Sequence, residues 1–250
     1  MLSSSAPGAA GATSADIPMH GSTLQGSTLL FSEMTPQPAW EGVFNDWYDD
    51  EHIPLRMACP GFMSAQRYRA TASASYLAVY EMGGAGDLKT PAYAKVKGQP
   101  SERTRQMLGG VAGFTRYICD QVGELRQPAP DVDPLAAPLL FAVFFAVPHD
   151  RRAAFDDWYD RDHLPQLLAC PHWLMARRLE VVDGDPGQWT HLTLHYLGDR
   201  AALESPERAR ARASAGRLAI AAEPWFRPEY LTFSRHGERQ RGVAADDGLR

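Results

Sequence analysis

The chain has little cysteine. Only Cys59, Cys119 and Cys170 occur in 250 residues. Three is an odd number and none stands in a Cys-x-x-Cys pair, which excludes a disulfide framework and a cysteine-built metal site. A reducing, cytoplasmic setting is the expectation. Basic residues are in deficit, with 25 Lys and Arg against 30 Asp and Glu and a net charge of −5. With no long basic run either, nucleic acid and anionic membrane are not expected partners. No apolar run approaches the roughly 18–20 residues that span a bilayer as a helix. A Gly-rich phosphate loop, a dinucleotide fingerprint and a helical His-x-x-x-His are absent too. The expectation is therefore no metal and no cofactor. Residues 1–26 are rich in Ser, Gly and Ala. They lack a basic start and an apolar core, so they read as a flexible tail rather than a secretory signal.

What is present is a repeat. Residues 44–60 read FNDWYDDEHIPLRMACP and residues 155–171 read FDDWYDRDHLPQLLACP. The offset is 111 throughout, and 10 of the 17 aligned positions are identical: Phe44/Phe155, Asp46/Asp157, Trp47/Trp158, Tyr48/Tyr159, Asp49/Asp160, His52/His163, Pro54/Pro165, Ala58/Ala169, Cys59/Cys170 and Pro60/Pro171. A gap-free match of this length reads as a tandem duplication. Phe44, Trp47, Tyr48 and Glu51 fall at i, i+3, i+4 and i+7, one face of a helix. Asn45, Asp46, Asp49 and Asp50 form the wet face. Pro54 disfavours helical geometry at Ile53, so the spacing predicts a helix over 39–52 that ends beside His52, with 149–163 as its counterpart.

Around each copy the same order of segments recurs. Thr28–Met34, Phe62–Arg69, Tyr76–Met82 and Phe114–Val122 read as strands, with a second helical region opening at Thr90-Pro91 and running to about Leu108. In the second copy Pro138–Val147, Trp173–Val182, His191–Leu197 and Phe226–Phe233 read as strands, and Ser205-Pro206 opens a helix to about Ala222. Each copy is then β-α-β-β-α-β, a ferredoxin-like unit. The predicted division is a tail over 1–26, one repeat over 27–122, a Pro-rich linker over 123–137, a second repeat over 138–234 and a polar tail over 235–250. An antiparallel sheet with helices on one face must cover the other. The predicted fold class is therefore α+β: two ferredoxin-like repeats packed sheet to sheet as an α+β barrel within one chain, with a cavity between the sheets.

The F-x-x-W-Y-x-x-[ED]-H-x-P pattern on such a unit resembles the EthD-like branch of the dimeric α+β barrel superfamily. The resemblance covers both repeats and not the tails. It implies a barrel made by two units, fused here into one chain, and a small-molecule site. Members of the superfamily include cofactor-free monooxygenases, lactone isomerases, polyketide cyclases and dehydratases, and haem enzymes, so the fold leaves the reaction open.

His52 and His163 are the leading catalytic candidates, because an imidazole titrates near neutrality and an adjacent carboxylate can tune it. The alternative is a cap on the helix end. Glu51 and Asp162 stand on the apolar stripe, where a desolvated carboxyl would have a raised pKa and could donate a proton. Local pairing with an arginine is the alternative. Trp47, Tyr48, Trp158 and Tyr159 read as pocket wall or core. Arg67 and Arg178, matched at the same offset, read either as clamps for a substrate oxyanion or as ion-pair partners of Glu51 and Asp162. On the third strand of each repeat, Tyr76 and Tyr80 alternate with Leu77 and Val79, and His191 and His195 alternate with Leu192 and Leu194. If the leucines pack on helices, the Tyr and His sets face the barrel interior. That places His163, His191 and His195 around one cavity and favours the second repeat as the reactive one.

These readings predict an enzyme without a redox cofactor that binds a small hydrophobic or aromatic carbonyl compound. The expected chemistry is proton transfer, as in dehydration, cyclisation or isomerisation, and a lyase or isomerase is the expected class. A cofactor-free oxygenase and a non-catalytic binding protein are the alternatives. Pairing of whole chains into a homodimer stays open.

Overall fold

A computed structural model describes residues 24–128 and 132–243. Most of the expected N-terminal tail and the end of the C-terminal one lie outside the described residues. The strands are β1 (Thr28–Pro36), β2 (Phe62–Ala70), β3 (Tyr76–Met82) and β4 (Val111–Arg126), then β5 (Leu139–Phe145), β6 (Trp173–Asp185), β7 (His191–Leu197) and β8 (Glu229–Arg241). They close one barrel in the order β1-β3-β2-β8-β5-β7-β6-β4, every pair antiparallel. Each half contributes four consecutive strands of that ring, so the α+β barrel expected from the sequence is the fold of this single chain.

Closure depends on two long strands. β4 pairs with β1 through its first part and with β6 through Arg116–Arg126. β8 pairs with β5 and then runs on along β2 to Arg241. Two sequence boundaries are corrected by this. Residues 123–126, read as linker, and 235–241, read as tail, are strand. Their polarity misled, because the ladder here is held by backbone hydrogen bonds that any side chain permits. A barrel has no free edge, and these extensions are what remove the edges.

The interior is a packed core rather than a cavity. Leu29, Phe31, Leu77, Val79, Phe144 and Leu194 fill it with their neighbours in one buried cluster. Phe31 from one half meets Phe144 from the other edge-on at 5.4 Å. One ion pair is sealed inside as well. Arg177 donates to both oxygens of Glu81 at 2.6 and 3.1 Å and to the Gly26 carbonyl at 3.0 Å. Both side chains are 0% exposed, so this bond between halves sits where an uncompensated charge would be costly.

The helices cover the outer face. The first run consists of α1 (Glu41–Trp47), a π turn (Tyr48–His52) and α2 (Ile53–Met57), followed later by α3 (Pro91–Gly98) and α4 (Glu102–Gly109). The second half repeats this with α5 (Arg152–Trp158), a π turn (Tyr159–His163), α6 (Leu164–Leu168), α7 (Pro206–Ala213) and α8 (Ala215–Ala221). The first helix of each half therefore does not stop at the histidine. Proline lacks an N–H and its ring collides with the carbonyl four residues back in α geometry. The chain instead widens by one residue. Ile53 N–H bonds the Tyr48 carbonyl and Leu164 N–H the Tyr159 carbonyl, five residues back, and the helix continues. Ser214 interrupts the expected helix 206–222 by capping α8.

Candidate functional site

The facing of the third strands is the reverse of the sequence expectation. Tyr76, Ala78 and Tyr80 pack with Phe44, Trp47 and Tyr48 on the helix side, while Leu77 and Val79 enter the barrel. In β7, His191 and His195 likewise face the helices, and Leu192 and Leu194 face inward. The expected cavity between sheets is thus replaced by cavities between each half's outer sheet face and its helices.

In the first half two such cavities adjoin. One, of about 520 Å³, lies between α2, α3 and α4, and the other, of about 250 Å³, lies over β1 and β3. Both are lined by His52, Arg56, Lys97 and Leu108. The π turn aims the motif at them. It carries His52 to a position 4% exposed, with the imidazole 4.3 Å from the Trp47 ring and 4.6 Å from the Tyr48 ring. Neither ring nitrogen hydrogen-bonds a described residue. Burial, with Arg56 and Arg67 nearby, holds its pKa well below the ordinary 6.5, so the imidazole is neutral near pH 7 and free to accept a proton.

Arg56 sits one turn beyond His52. Its guanidinium donates to the His52 carbonyl at 2.9 Å and lies over the Tyr80 ring at 5.7 Å. No carboxylate pairs with it among the described residues. The Tyr80 hydroxyl is buried without a hydrogen-bond partner there. Tyr48 is its electrostatic neighbour but does not meet hydrogen-bond geometry, and burial raises both phenols. Lys95, Lys97 and Arg116 complete the charged wall, and no Asp or Glu lines either cavity.

The carboxylates expected to tune the histidines are mainly engaged elsewhere, although the Asp162 charge still opposes the lowering of the His163 pKa. Glu51 is half-buried and accepts from Ser101 Oγ at 2.5 Å and Thr104 Oγ1 at 2.8 Å. The Ser101 bond holds its pKa down, the opposite of a raised proton donor. Asp162 accepts from Ser214 Oγ at 2.7 Å and Gln166 Nε2 at 2.5 Å. Ser101 and Ser214 are the N-caps of α4 and α8, so each carboxylate latches one helix onto the next. Neither lines a cavity among those described. The arginines pair one turn earlier than expected, because β2 and β6 cross the helices nearer their starts. Arg67 donates to Asp49 at 2.9 Å and Asn45 at 2.5 Å, and Arg178 to Asp160 and Asp156. Tyr76 donates to Glu41 at 2.6 Å. These groups anchor helices and do not reach the cavities.

The second half brings together two of the three expected histidines, His163 and His195, and leaves His191 outside their cavity. His195 takes a hydrogen bond on Nδ1 from Trp173 Nε1 at 3.0 Å, and its Nε2 lies 3.2 Å from the Tyr159 hydroxyl. Both ring nitrogens are engaged, and the acceptor role of Nδ1 fixes a neutral ring. His191 Nδ1 is 2.8 Å from Thr190 Oγ1, and burial, with Arg152 and Arg178 nearby, pushes its pKa down to about 4. His163 lines a cavity of only about 30 Å³, with Trp158, Tyr159 and His195 in the same wall. Its pKa is also pushed down to about 4, by burial and by Arg217.

Sequence reasoning missed Arg56 and Lys97 as wall groups. The signals existed. Arg56 is four residues from His52, hence on the same helical face, and Lys97 is four from the buried Tyr93. Among the described residues no group of three or more His, Cys, Asp or Glu is arranged to hold a metal ion, and no helix is long and apolar enough to cross a membrane.

No protein-family model matches the chain, and no curated protein is similar to it. Solved structures share its fold. An anthrone oxidase-like protein is similar at 15% identity with a TM-score of 0.61, over 87% of this chain and 94% of that one. A putative monooxygenase from Fusobacterium nucleatum is similar at 6% identity and a TM-score of 0.53, over 86% and 95%. A mutant chlorite dismutase from Candidatus Nitrospira defluvii is similar at 8% and 0.53, over 84% and 90%. At such identities the likeness is one of fold alone, a closed antiparallel barrel with helices on its outer face.

Proposed function

We propose that the chain is a small-molecule enzyme that removes a proton from a hydrophobic aromatic carbonyl compound in the first-half cavities and exposes the resulting anion to dioxygen. The observation that carries this reading is the neutral His52 imidazole, free of hydrogen bonds from described residues, in a wall whose other charged groups are all cationic. Such a wall favours a substrate that becomes an anion. Arg56 and Lys97, shared by both cavities, are placed to hold an enolate or phenolate oxygen, and His52 accepts the proton. Tyr48, Tyr80, Tyr93 and Leu108 supply the apolar bed for an aromatic ring. Glu51, Trp47 and Arg67 act as positioning residues for the turn that carries His52.

The names of similar folds, an anthrone oxidase-like protein and a putative monooxygenase, support oxygen as the second reactant. The reaction balances without a reductant. A benzylic CH2 flanked by aryl ketone conjugation loses a proton to His52, the carbanion combines with O2 to a peroxide anion, and the His52 proton returns to it to give a hydroperoxide. Loss of water then leaves C=O, so CH2 and O2 become C=O and H2O. The carbon is oxidised, and dioxygen supplies the carbonyl oxygen and the oxygen of the water.

The test is incubation with a hydroxyanthrone while oxygen uptake and quinone absorbance are followed together. Stoichiometric uptake of O2 with quinone formation, lost in His52→Ala, is the expected result. Conversion of such a ketone without oxygen uptake would replace this reading with proton transfer alone, as in dehydration, cyclisation or isomerisation. Tight binding with no conversion would make the protein a carrier.

A further inference from the structure

The second half holds an arrangement that the proposed reaction does not use. Arg208, Arg212 and Arg217 all line the small cavity beside His163. Arg208 and Arg212 are four apart on α7 and share a face, and Arg217 comes from α8. Arg210, on the opposite face of α7, pairs with Glu207 at 3.0 Å. The other three have no carboxylate within ion-pair distance among the described residues. Arg208 donates to the Leu203 carbonyl at 2.6 Å and lies over the Phe141 ring, and Arg217 lies over the Phe226 ring at 4.5 Å. These contacts fix the guanidinium groups of Arg208 and Arg217, while that of Arg212 reaches the cavity from an exposed position.

The wall also contains orphaned polar atoms. Trp158 Nε1 and His163 Nδ1 are buried without hydrogen-bond partners among the described residues. The nearest carboxylate of the motif, Asp162, is already engaged by Ser214 and Gln166. Burial and the neighbouring Arg212 lower the pKa of Arg208, as expected of like charges held together without an anion. The cavity, about 30 Å³, has room for roughly two waters. That is the scale of a compact oxyanion and too small for an aromatic ring.

We infer that the second half binds a compact oxyanion, a phosphate or a carboxylate group, between Arg208, Arg212 and Arg217 beside His163. Three guanidinium groups from two helices would hold the anion with charge-assisted bonds and tie α7 to α8. The site is separate from the first-half cavities, and its occupancy does not depend on the reaction proposed there.

The test is thermal unfolding and Trp fluorescence of the full-length protein titrated with inorganic phosphate, acetate or chloride at constant ionic strength. A saturable rise in Tm with phosphate, or with phosphate and acetate, is expected, since a ligand bound only by the folded state stabilises it. The first pattern identifies a tetrahedral anion and the second an oxyanion of either kind. Arg212→Gln and Arg217→Gln, each verified as folded by circular dichroism, should bind at least about tenfold more weakly. Phosphate and acetate acting no more strongly than chloride on the wild type would overturn the site whatever the variants do. Retention of wild-type affinity by both variants, with loss in Lys97→Met, would also overturn it by moving the anion to the first half.

Discussion

The two halves share a motif, a π turn and a strand order, yet the space beside the histidine is open in one and nearly closed in the other. The difference lies in a few substitutions at equivalent places. Arg56 of the first half corresponds to Leu167, Tyr80 to His195, Lys97 to Arg212 and Thr104 to Arg217. In the first half Thr104 accepts the Trp47 indole N–H at 3.0 Å. In the second, Trp158 has lost that partner, and Arg208, Arg217 and Phe226 crowd the space. The first half thus keeps about 520 and 250 Å³ of cavity beside its histidine and the second about 30 Å³. One scaffold can hold a reactive cleft or an anion-sized niche, according to what α3/α4 or α7/α8 send toward the conserved turn.

The largest expected effect concerns what joins the halves. Glu81→Gln leaves Arg177 charged and sealed in the barrel, and should cost about 3–5 kcal/mol in urea unfolding. A loss confined to one half's amides in hydrogen exchange, rather than global destabilisation, would show that the halves fold independently.

Next comes the comparison of the histidines. His52→Ala should lower turnover of the proposed substrate by about 10²–10⁴-fold, as for loss of a general base, while His163→Ala stays within about threefold. The reverse pattern would move the reaction to the second half.

Acid should then separate the halves. His163 and His191 have pKa values pushed down to about 4 against an ordinary 6.5, and His195 lies well below it too. The unfolded chain therefore binds more protons between those limits. Their neutral burial is fully tolerated above about pH 6.5, and stability falls as pH drops from there toward 4, by up to ~1.4 kcal/mol per pH unit for each histidine. The first half has His52 in this class, and His236 of β8, which packs on Tyr76 of the first half, is lowered more mildly. Hydrogen exchange at pH 5 should show β7 and α6 loosening before β3 and α2, and simultaneous loosening would contradict this.

The smallest effect concerns the helix latches. Glu51→Gln and Asp162→Asn should each cost about 1 kcal/mol in stability, the usual worth of a helix-cap bond. Glu51→Gln should also raise KM or lower kcat modestly by letting α4 shift over the first-half cavity. An abolition of turnover with unchanged stability would instead make Glu51 a catalytic group.

The sequence by itself determined the repeat, the order of strands and helices in each half, and the place of both histidines at the turn before a proline. These follow from local periodicities and from the chemistry of proline and N-cap residues, which act within a few residues of chain. The helix did not end where proline suggested, because a single π turn absorbs the missing N–H. The strands at 123–126 and 235–241 were invisible because their partners lie in the other half. Above all, the sequence could not say which face of β3 and β7 looks inward. Every residue of both strands is buried. With apolar packing on both faces, alternation separates two sets but does not name their sides. Only closure of the barrel decided it. The sealed interior accepts the Leu and Val sets, while the Tyr and His sets turn to the helix side, where N–H and hydroxyl partners and the cavities are within reach.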